Sequence, residues 1–273
     1  MAKRLENFIQ DIATVVVTGG SSGIGKAFIR QFHRLDRSLV ICNLSRTEPR
    51  LHLPGADFRH YPCDLVDLAK TKSICRAIVE DLPPGKLLLI NNSGFGSYGE
   101  FPGTGLGGNL AMVDVNVRAV VALTGYFLPV LRERGGAIVN VASTAAFQPT
   151  PFMATYGASK AFILHWSLAL ERDLASTGIG VLALCPGPTT TEFFRIAGSR
   201  ERVVSPALSQ TAEEVVDITL NALSKGKTMC VCGWKNRFLA AAASFLPKRL
   251  AARIAAVMLR KYRLVRSKEP DGR

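Results

Sequence analysis

The sequence predicts an α/β fold, in which a doubly wound parallel sheet of about seven strands is covered by helices on both faces. Short apolar segments alternate with helical stretches along the chain, which is the pattern of such a sheet. The 273 residues are 48% hydrophobic, enough for one large core, and no change in composition marks a linker. We therefore expect a single domain with strands near residues 13–18, 38–43, 57–63, 86–91, 137–142, 179–185 and 228–232.

The first predicted strand leads into a glycine-rich turn at 18–25 and a helix over 26–34. Together they form an anion site of the Rossmann type, because glycines let the backbone approach a pyrophosphate and free N–H groups point at it. A competing P-loop starting at Gly20 lacks the hydroxyl that magnesium needs, since Ala27 occupies that position. A glycine turn without a ligand is the other alternative. The candidate dinucleotide-binding residues of this turn are Gly19, Ser21, Ser22, Gly23, Ile24 and Gly25.

The end of the second strand indicates which dinucleotide binds, because a Rossmann-type sheet meets the adenosine ribose there. An enzyme that uses NAD(H) would favour an acidic residue, whereas this chain has Ser45 and Arg46. A hydroxyl and a planar guanidinium suit a 2′-phosphate. We therefore predict NADP(H) as the preferred cofactor and NAD(H) as the second choice; a solvated surface arginine is the alternative explanation of Arg46.

Tyr156 and Lys160 are four residues apart, so a helix places the phenol and the ammonium on one face. The pKa of a tyrosine is about 10 and a nearby cation favours the phenolate, so this pair can move a proton. Ser143 follows another predicted strand, thirteen residues before Tyr156, and its hydroxyl can meet the tyrosine at the carboxyl edge of the sheet. Asn116 lies in a long helical stretch, where a capping or solvated residue is the alternative.

These motifs, with Asn91-Asn92-Ser93-Gly94 and residues 186–191, closely resemble the classical short-chain dehydrogenase/reductase family over about residues 12–235. Ser93 stands where that family usually has alanine, and residues 92–99 and 158–162 resemble its DltE-like bacterial subgroup. The resemblance implies that the catalytic residues are Asn116, Ser143, Tyr156 and Lys160. It also implies cofactor contacts from Asp64, Asn92, Gly94, Tyr156, Lys160, Pro186, Gly187, Thr189 and Thr191.

The resemblance further implies a reaction in which a nicotinamide passes hydride to a carbonyl carbon. Ser143 and Tyr156 would donate hydrogen bonds to the carbonyl oxygen, and Tyr156 would deliver the proton. Lys160 would lower the pKa of the tyrosine and hold the nicotinamide ribose, and Asn116 would hold a water that connects Lys160 to solvent. Thr189 to Thr191 would contact the carboxamide. We therefore expect NADPH-dependent reduction of a ketone or an aldehyde.

Three alternatives to this function stay open. The chain could oxidise an alcohol with NAD(P)⁺, or it could reduce a lipid ketone, because residues 15–26 also resemble 3-ketosphinganine reductase. It could also keep NADP(H) only as a non-catalytic sensor on the same fold, which an intact Asn-Ser-Tyr-Lys set argues against. The predicted substrate loop, at about 192–210, carries Phe193, Phe194 and Ile196, so we expect an apolar small-molecule carbonyl or alcohol.

The six cysteines form no C-x-x-C pair and no histidine cluster accompanies them, so we expect reduced, buried thiols and no metal site. The N-terminus is charged, unlike a signal peptide, and no run approaches the eighteen apolar residues of a membrane-spanning helix. We therefore expect a cytoplasmic protein, peripheral to the membrane at most, that assembles as a homo-oligomer.

Residues 235–273 are predicted to form a basic amphipathic helical extension of a catalytic domain at 1–234. Residues 235–268 hold ten Lys or Arg and no Asp or Glu, against a net charge of +13 for the whole chain. On a helix after Pro247, one arc carries Leu250, Ile254, Val257 and Met258. This pattern indicates peripheral membrane contact or a partner-binding face. The alternative is a helix that packs this arc on its own core or on a second subunit; nucleic acid is not expected.

Overall fold

The computed structural model describes residues 2–103, 105–190 and 209–263. Within them a single sheet of seven parallel strands has the order β3-β2-β1-β4-β5-β6-β7, which confirms the predicted Rossmann-type, doubly wound fold in one domain. The strands are β1 (Ile12–Thr18), β2 (Val40–Ser45), β3 (Asp57–Pro62), β4 (Lys86–Asn91), β5 (Gly136–Val141), β6 (Gly180–Cys185) and β7 (Met229–Val231).

Helices connect the strands and cover both faces of the sheet. A π-helical turn at Asp114–Arg118 makes α4 and α5 one continuous stretch, and short 3₁₀ turns occupy Thr144–Phe147 and Ala175–Thr177. The α-helices of the described residues are α1 (Ala2–Gln10), α2 (Gly23–Leu35), α3 (Leu68–Glu80), α4 (Gly105–Val113), α5 (Ala119–Arg134), α6 (Ala154–Asp173), α7 (Ala212–Leu223), α8 (Trp234–Phe245) and α9 (Lys248–Arg263).

The sheet is buried on both faces because successive residues of each strand point to opposite sides. On β1, Val15 and Val17 join a cluster with Phe28 and Phe32 of α2, whereas Val16 joins the other cluster with Phe127 of α5. All of these side chains are fully buried. This explains why the strands read as continuous apolar runs rather than as alternating ones.

The parallel register brings the carboxyl ends of the central strands to one edge. Thr18 pairs with Leu44 of β2, Val17 pairs with Ile90 of β4, and Asn91 pairs with Asn140 of β5. The segments after these strands, which hold the glycine turn, Asn92 and Ser143, therefore meet at one crevice.

One local prediction was wrong. The helix after the glycine turn begins at Gly23, not at residue 26, because the last two glycines of the turn already form its first turn. The glycine-rich segment after Pro102 is also helical, from Gly105. Its helix is held by Asn109, which donates to the Pro102 and Gly105 carbonyls at 2.6 and 2.9 Å and accepts from Thr155 of α6 at 2.6 Å. Tertiary contacts thus outweigh the poor helix propensity of glycine.

One helical stretch of the described residues, Gly105–Arg134, is long and apolar enough to cross a membrane by length and composition; its most apolar 18 residues have a mean hydropathy of 1.4. It is interrupted by Asp114, Asn116 and Arg118, and it packs against β4, α3 and α6. We interpret it as a core helix of the domain.

Candidate active site

The glycine turn between β1 and α2 brings the backbone close to its surroundings. Gly19 has φ of +69° and its N–H donates to the Leu44 carbonyl at 2.9 Å. A Cβ at Gly25 would lie 2.5 Å from both the Gly19 carbonyl oxygen and the amide nitrogen of Asn92. Larger residues therefore cannot occupy position 25 unless the turn moves.

Thr18 and Asn92 brace this turn against the end of β4. The Thr18 hydroxyl accepts from the backbone N–H groups of Asn92 and Ser93, at 3.0 and 2.9 Å, and the Asn92 amide donates to the Thr18 carbonyl at 2.9 Å. Asn92 was predicted as a cofactor contact. In the structure its side-chain amide donates to the carbonyls of Thr18 and Gly19 in the turn. Thr18 was missed, although a hydroxyl at the end of an apolar strand is a signal for such a brace.

Asn43 on β2 is a second residue that the sequence analysis missed. Its side-chain oxygen accepts from the Gly20 N–H at 2.9 Å, and its amide donates to the Ser45 hydroxyl at 3.0 Å. His60 Nδ1 lies 3.0 Å from the same amide. Asn43 is fully buried, so a lone polar residue within an apolar strand was the available signal.

The first turn of α2 offers backbone N–H groups to an anion. Ser22 is the N-cap residue, and its side chain makes no capping hydrogen bond. The N–H groups of Gly23, Ile24 and Gly25 thus lack a side-chain cap, at the positive end of the helix dipole. With the close approach at Gly25 and with Ser21 beside the turn, these residues fit the pyrophosphate of a dinucleotide.

The predicted ribose and adenine residues follow β2 and β3 at the neighbouring edge. The Ser45 hydroxyl donates to the Thr47 carbonyl at 2.7 Å, so its proton is held within its own loop. The Cys63 N–H donates to the Ser45 carbonyl at 3.1 Å, which places the segment with Asp64 beside it. Arg46 is exposed, as a side chain that contacts a bound phosphate from the rim of a site would be.

Ser143, Tyr156 and Lys160 come together between β5 and α6. The hydroxyls of Ser143 and Tyr156 share a hydrogen bond. The Lys160 ammonium donates to the Val141 carbonyl at 2.7 Å and lies 6.0 Å from the centre of the Tyr156 ring. All three predicted residues are at least nine-tenths buried, so the cluster is shielded from bulk water.

Burial has the largest effect on the pKa values of Tyr156 and Lys160. Burial raises the pKa of Tyr156 above its usual value of 10, and the hydrogen bond with Ser143 lowers it only in part. Burial also lowers the pKa of Lys160 from 10.5 to about 8. The net shift at Tyr156 is thus opposite to the one predicted from the Tyr–Lys pairing, because desolvation of the phenolate has the largest effect on its pKa.

Asn116 occupies the π-helical turn and is buried, so the solvated alternative is wrong. Its side chain accepts from the Phe95 N–H at 3.1 Å and donates to the Phe95 carbonyl at 2.9 Å and to the Ser159 hydroxyl at 3.0 Å. A Cβ at Gly94 would lie 3.1 Å from both Asn116 Oδ1 and Lys160 Nζ. Asn116 therefore ties the loop after β4 to α6, next to Lys160.

The segment after β6 completes the crevice. The Pro186 carbonyl accepts from the Thr144 N–H at 2.9 Å, which fixes this segment beside Ser143, and the Thr189 hydroxyl donates to the Gly187 carbonyl at 3.1 Å. A Cβ at Gly187 would collide with the side chain of Asn236 on α8. Thr191 and most of the predicted substrate loop, residues 192–208, lie outside the described residues.

A buried polar network lies beneath the cluster and was also missed. The Asn91 amide donates to Thr124 at 3.1 Å and to Asn140 at 2.8 Å, and Asn140 donates to Ser167 of α6 at 3.0 Å. This network joins β4, β5, α5 and α6, the elements that carry or adjoin the candidate catalytic side chains. Since buried polar groups are costly when unpaired, it fixes their relative positions.

All six cysteines are buried and free, as predicted. Across the described ranges, no three His, Cys, Asp or Glu side chains are grouped so that they could hold a metal ion.

The chain is similar in sequence to several curated oxidoreductases. It is 32% identical to hydroxysteroid dehydrogenase-like protein 1 of Gallus gallus over 78% of this chain and 66% of that protein. It is 33% identical to sulfoacetaldehyde reductase of Chromohalobacter salexigens, over 74% of this chain and 85% of that protein. It is also 28% identical to the uncharacterized oxidoreductase DltE of Bacillus subtilis, over 78% of this chain and 85% of that protein.

Solved structures and a family model agree with these relatives. A short-chain dehydrogenase from Sphingobium yanoikuyae in complex with NADPH has a TM-score of 0.72 and 27% identity, covering 96% of this chain and 98% of that one. The family model described as short chain dehydrogenase matches residues 13–202. With the cofactor cradle and the Ser-Tyr-Lys cluster at one crevice, the chain belongs to the short-chain dehydrogenase/reductase family and is an NAD(P)-dependent oxidoreductase acting on alcohol or carbonyl groups.

Proposed function

We propose that this protein reduces a ketone or aldehyde to an alcohol with NADPH. The observation that carries the proposal is the buried hydroxyl pair of Ser143 and Tyr156, beside Lys160, at the edge of the sheet that holds the uncapped N-terminus of α2. Purified full-length protein should be screened with NADPH and NADH against ketones, aldehydes and long-chain 3-oxo lipids. Cofactor binding without turnover of any carbonyl or alcohol would favour the sensor alternative.

The proposed mechanism assigns a task to each described residue. The glycine turn and the first turn of α2 would hold the pyrophosphate of the cofactor, and the segment at 186–189 would hold its nicotinamide end. When bound, the cofactor would supply the hydride. Ser143 and Tyr156 donate hydrogen bonds to the carbonyl oxygen of the substrate, and Tyr156 gives up its proton to that oxygen as the carbon gains hydride. The product is the alcohol, and the phenolate is left beside the Lys160 ammonium.

Asn116 acts in this mechanism as a positioning residue. Its side-chain hydrogen bonds are taken by Phe95 and Ser159, and the Ser159 hydroxyl in turn donates to the Tyr156 carbonyl at 2.7 Å. A water that connects Lys160 to solvent would therefore bind the backbone of the π-helical turn, since such a turn interrupts the regular hydrogen-bond ladder.

The protonation of Tyr156 is compatible with reduction. The raised pKa keeps the phenol protonated at neutral pH, and a protonated phenol is the form that donates to a carbonyl oxygen. An enzyme accelerates both directions of its reaction, so the working direction follows from the supply of reduced and oxidised cofactor. We rank carbonyl reduction above the alcohol dehydrogenase alternative because we propose NADPH as the cofactor.

The pH dependence of the reaction tests the role of Lys160. A lysine is charged below its pKa, so with a pKa of about 8 the ammonium is lost as pH rises through that value. We expect kcat/KM for carbonyl reduction to fall above about pH 8, by about tenfold for each pH unit. In Lys160→Arg, whose guanidinium stays charged, the decline should disappear from this range even if overall activity is lower. A wild-type profile that stays flat to high pH would contradict this role.

Arg46 is the test of cofactor preference. Arg46→Ala should weaken NADPH binding by about ten- to a hundredfold, because a charge-assisted hydrogen bond contributes about 1.5–3 kcal/mol, and should hardly change NADH binding. Both affinities can be measured by fluorescence titration, with the exposed Arg132→Ala on α5 as the matched control. Tighter binding of NADH than of NADPH by the wild-type protein would overturn the preference.

We propose the chemical class of the substrate, assembly as a homo-oligomer, and a cytoplasmic location. The name of the sulfoacetaldehyde reductase relative supports a carbonyl substrate, and the apolar residues of the loop after Thr191 support an apolar one. Large apolar side chains exposed on α4, α5 and α6 support a homo-oligomer formed through these helices; they are Leu106, Leu110, Val113, Val121 and Phe162. The cytoplasmic location stays a prediction.

A further inference from the structure

We propose that α8 and α9 form a docking surface for an anionic lipid bilayer. Of the sixteen large apolar side chains exposed among the described residues, eight belong to these two helices. On α8 they are Trp234, Phe238, Leu239 and Phe245, with Phe245 90% exposed. On α9 they are Leu250, Ile254, Val257 and Met258, with Val257 75% exposed.

The apolar side chains face outward because small residues fill the inward face. On α9, Ala251 is buried, and the Leu259 carbonyl accepts a hydrogen bond from the Tyr98 hydroxyl. On α8, Asn236 and Ala240 are buried. At 100° per residue, Trp234 and Phe238 lie on the opposite side of α8 from this buried pair. The described residues of the core thus leave the predicted apolar arc exposed.

The positive charge of α8 and α9 favours an anionic bilayer as the binding partner of this surface. Residues 234–263 contain eight Lys or Arg and no Asp or Glu. Arg249, Arg253 and Arg260 form a stripe beside the apolar arc of α9; all three are exposed, and none pairs with an acidic side chain among the described residues. A helix with an apolar stripe, an adjoining basic stripe and an aromatic residue near its end lies in the interface of an anionic membrane.

The same charges argue against the two other occupants. A second copy docked by two-fold symmetry would bring the same basic stripe against itself, without acidic partners on this surface. Nucleic acid would pair with the arginines but would leave the phenylalanine and valine side chains against a polar backbone.

The surface also lies beside the candidate active site. The Tyr98 ring, which contacts α9 through its hydroxyl, packs 6.1 Å from the ring of Phe152, just before α6. The Lys248 ammonium donates to the Phe147 carbonyl at 3.4 Å, in the turn after Ser143. A bilayer bound to α8 and α9 would therefore lie next to the crevice.

Co-sedimentation of the full-length protein with vesicles tests the proposal. We expect binding to vesicles of phosphatidylcholine and phosphatidylglycerol in equal amounts, weaker binding at high salt, and little binding to phosphatidylcholine alone. Arg253→Gln with Arg260→Gln should weaken the partition coefficient about thirtyfold. Phe238→Ser with Val257→Ser should weaken it roughly tenfold or more, since both side chains would lose their apolar environment.

Matched controls separate lipid binding from general effects. Arg30→Gln with Lys72→Gln removes two exposed charges from α2 and α3, and Leu35→Ser removes an exposed apolar side chain from α2. These variants should bind vesicles like the wild type, and all variants should keep the wild-type unfolding temperature and NADPH turnover without vesicles.

Three outcomes would overturn the proposal. The first is that the wild type sediments no more with anionic vesicles than without them. The second is that the α8–α9 variants bind vesicles as the control variants do. The third is that the Phe238→Ser and Val257→Ser protein becomes a smaller oligomer by sedimentation equilibrium while wild-type vesicle binding is absent, which would assign the surface to a second copy of the chain.

Discussion

Tyr156→Phe is expected to lower kcat/KM for carbonyl reduction by about 10²–10⁴-fold, the contribution of a general acid, and to leave NADPH affinity unchanged. The substitution keeps the ring that packs in α6 and removes only the hydroxyl that shares a hydrogen bond with Ser143. Without it, the substrate oxygen loses the acid to which the proposed mechanism assigns the proton. Steady-state kinetics on the best carbonyl from the substrate screen would measure the loss.

The control for this prediction is Tyr126→Phe, a partly buried tyrosine on α5, away from the cluster. Tyr126→Phe should lose little activity, and its unfolding temperature should shift by about as much as that of Tyr156→Phe. Activity of Tyr156→Phe within tenfold of the wild type would remove Tyr156 from the mechanism. A loss of NADPH binding together with activity would instead assign the hydroxyl to the cofactor site.

The strands and the main site residues could be predicted because their causes are local. A parallel sheet buried on both faces requires continuous apolar runs, so β1 and β4 are visible as Val15-Val16-Val17 and Leu87-Leu88-Leu89. The glycines at 19 and 25 and the four-residue spacing of Tyr156 and Lys160 follow from backbone geometry alone.

The features that sequence reasoning missed depend on contacts between distant segments. The Asn43 side chain on β2 accepts from the Gly20 N–H in the turn after β1, and Asn140 links Asn91 to Ser167 across three elements. Helix α4 starts within a glycine-rich segment because Asn109 and Thr155 meet there. None of these pairs has a fixed spacing that a single sequence could reveal.

The prediction that Lys160 lowers the pKa of Tyr156 was wrong for a different reason. Pairing with Lys160 is visible in the sequence, whereas the depth of burial is not, and here burial has the larger effect on the pKa of both groups. A charge pair predicted from spacing therefore names a candidate acid, and only the packed structure shows in which direction burial shifts its pKa.

Gly25→Ala is expected to weaken the binding of NADPH and NADH alike by about 10²–10⁴-fold. The new Cβ would lie 2.5 Å from the Gly19 carbonyl oxygen and from the Asn92 amide, and neither can yield without opening the turn that Thr18 braces. Opening the turn moves the first-turn N–H groups of α2 away from the pyrophosphate. Losing two charge-assisted hydrogen bonds, at about 1.5–3 kcal/mol each, gives this range.

Gly125→Ala is the matched control, because its Cβ would meet nothing within 4 Å on the exposed side of α5. It should leave both affinities unchanged and raise stability by about 1 kcal/mol, the helix propensity difference between the two residues. Fluorescence titration gives the affinities, and circular dichroism and thermal unfolding show whether Gly25→Ala stays folded. If a folded Gly25→Ala protein bound NADPH within tenfold of the wild type, the pyrophosphate would not lie on this turn. Equal losses for both cofactors, against the selective loss in Arg46→Ala, would assign the turn to the shared pyrophosphate and the arginine to the 2′-phosphate.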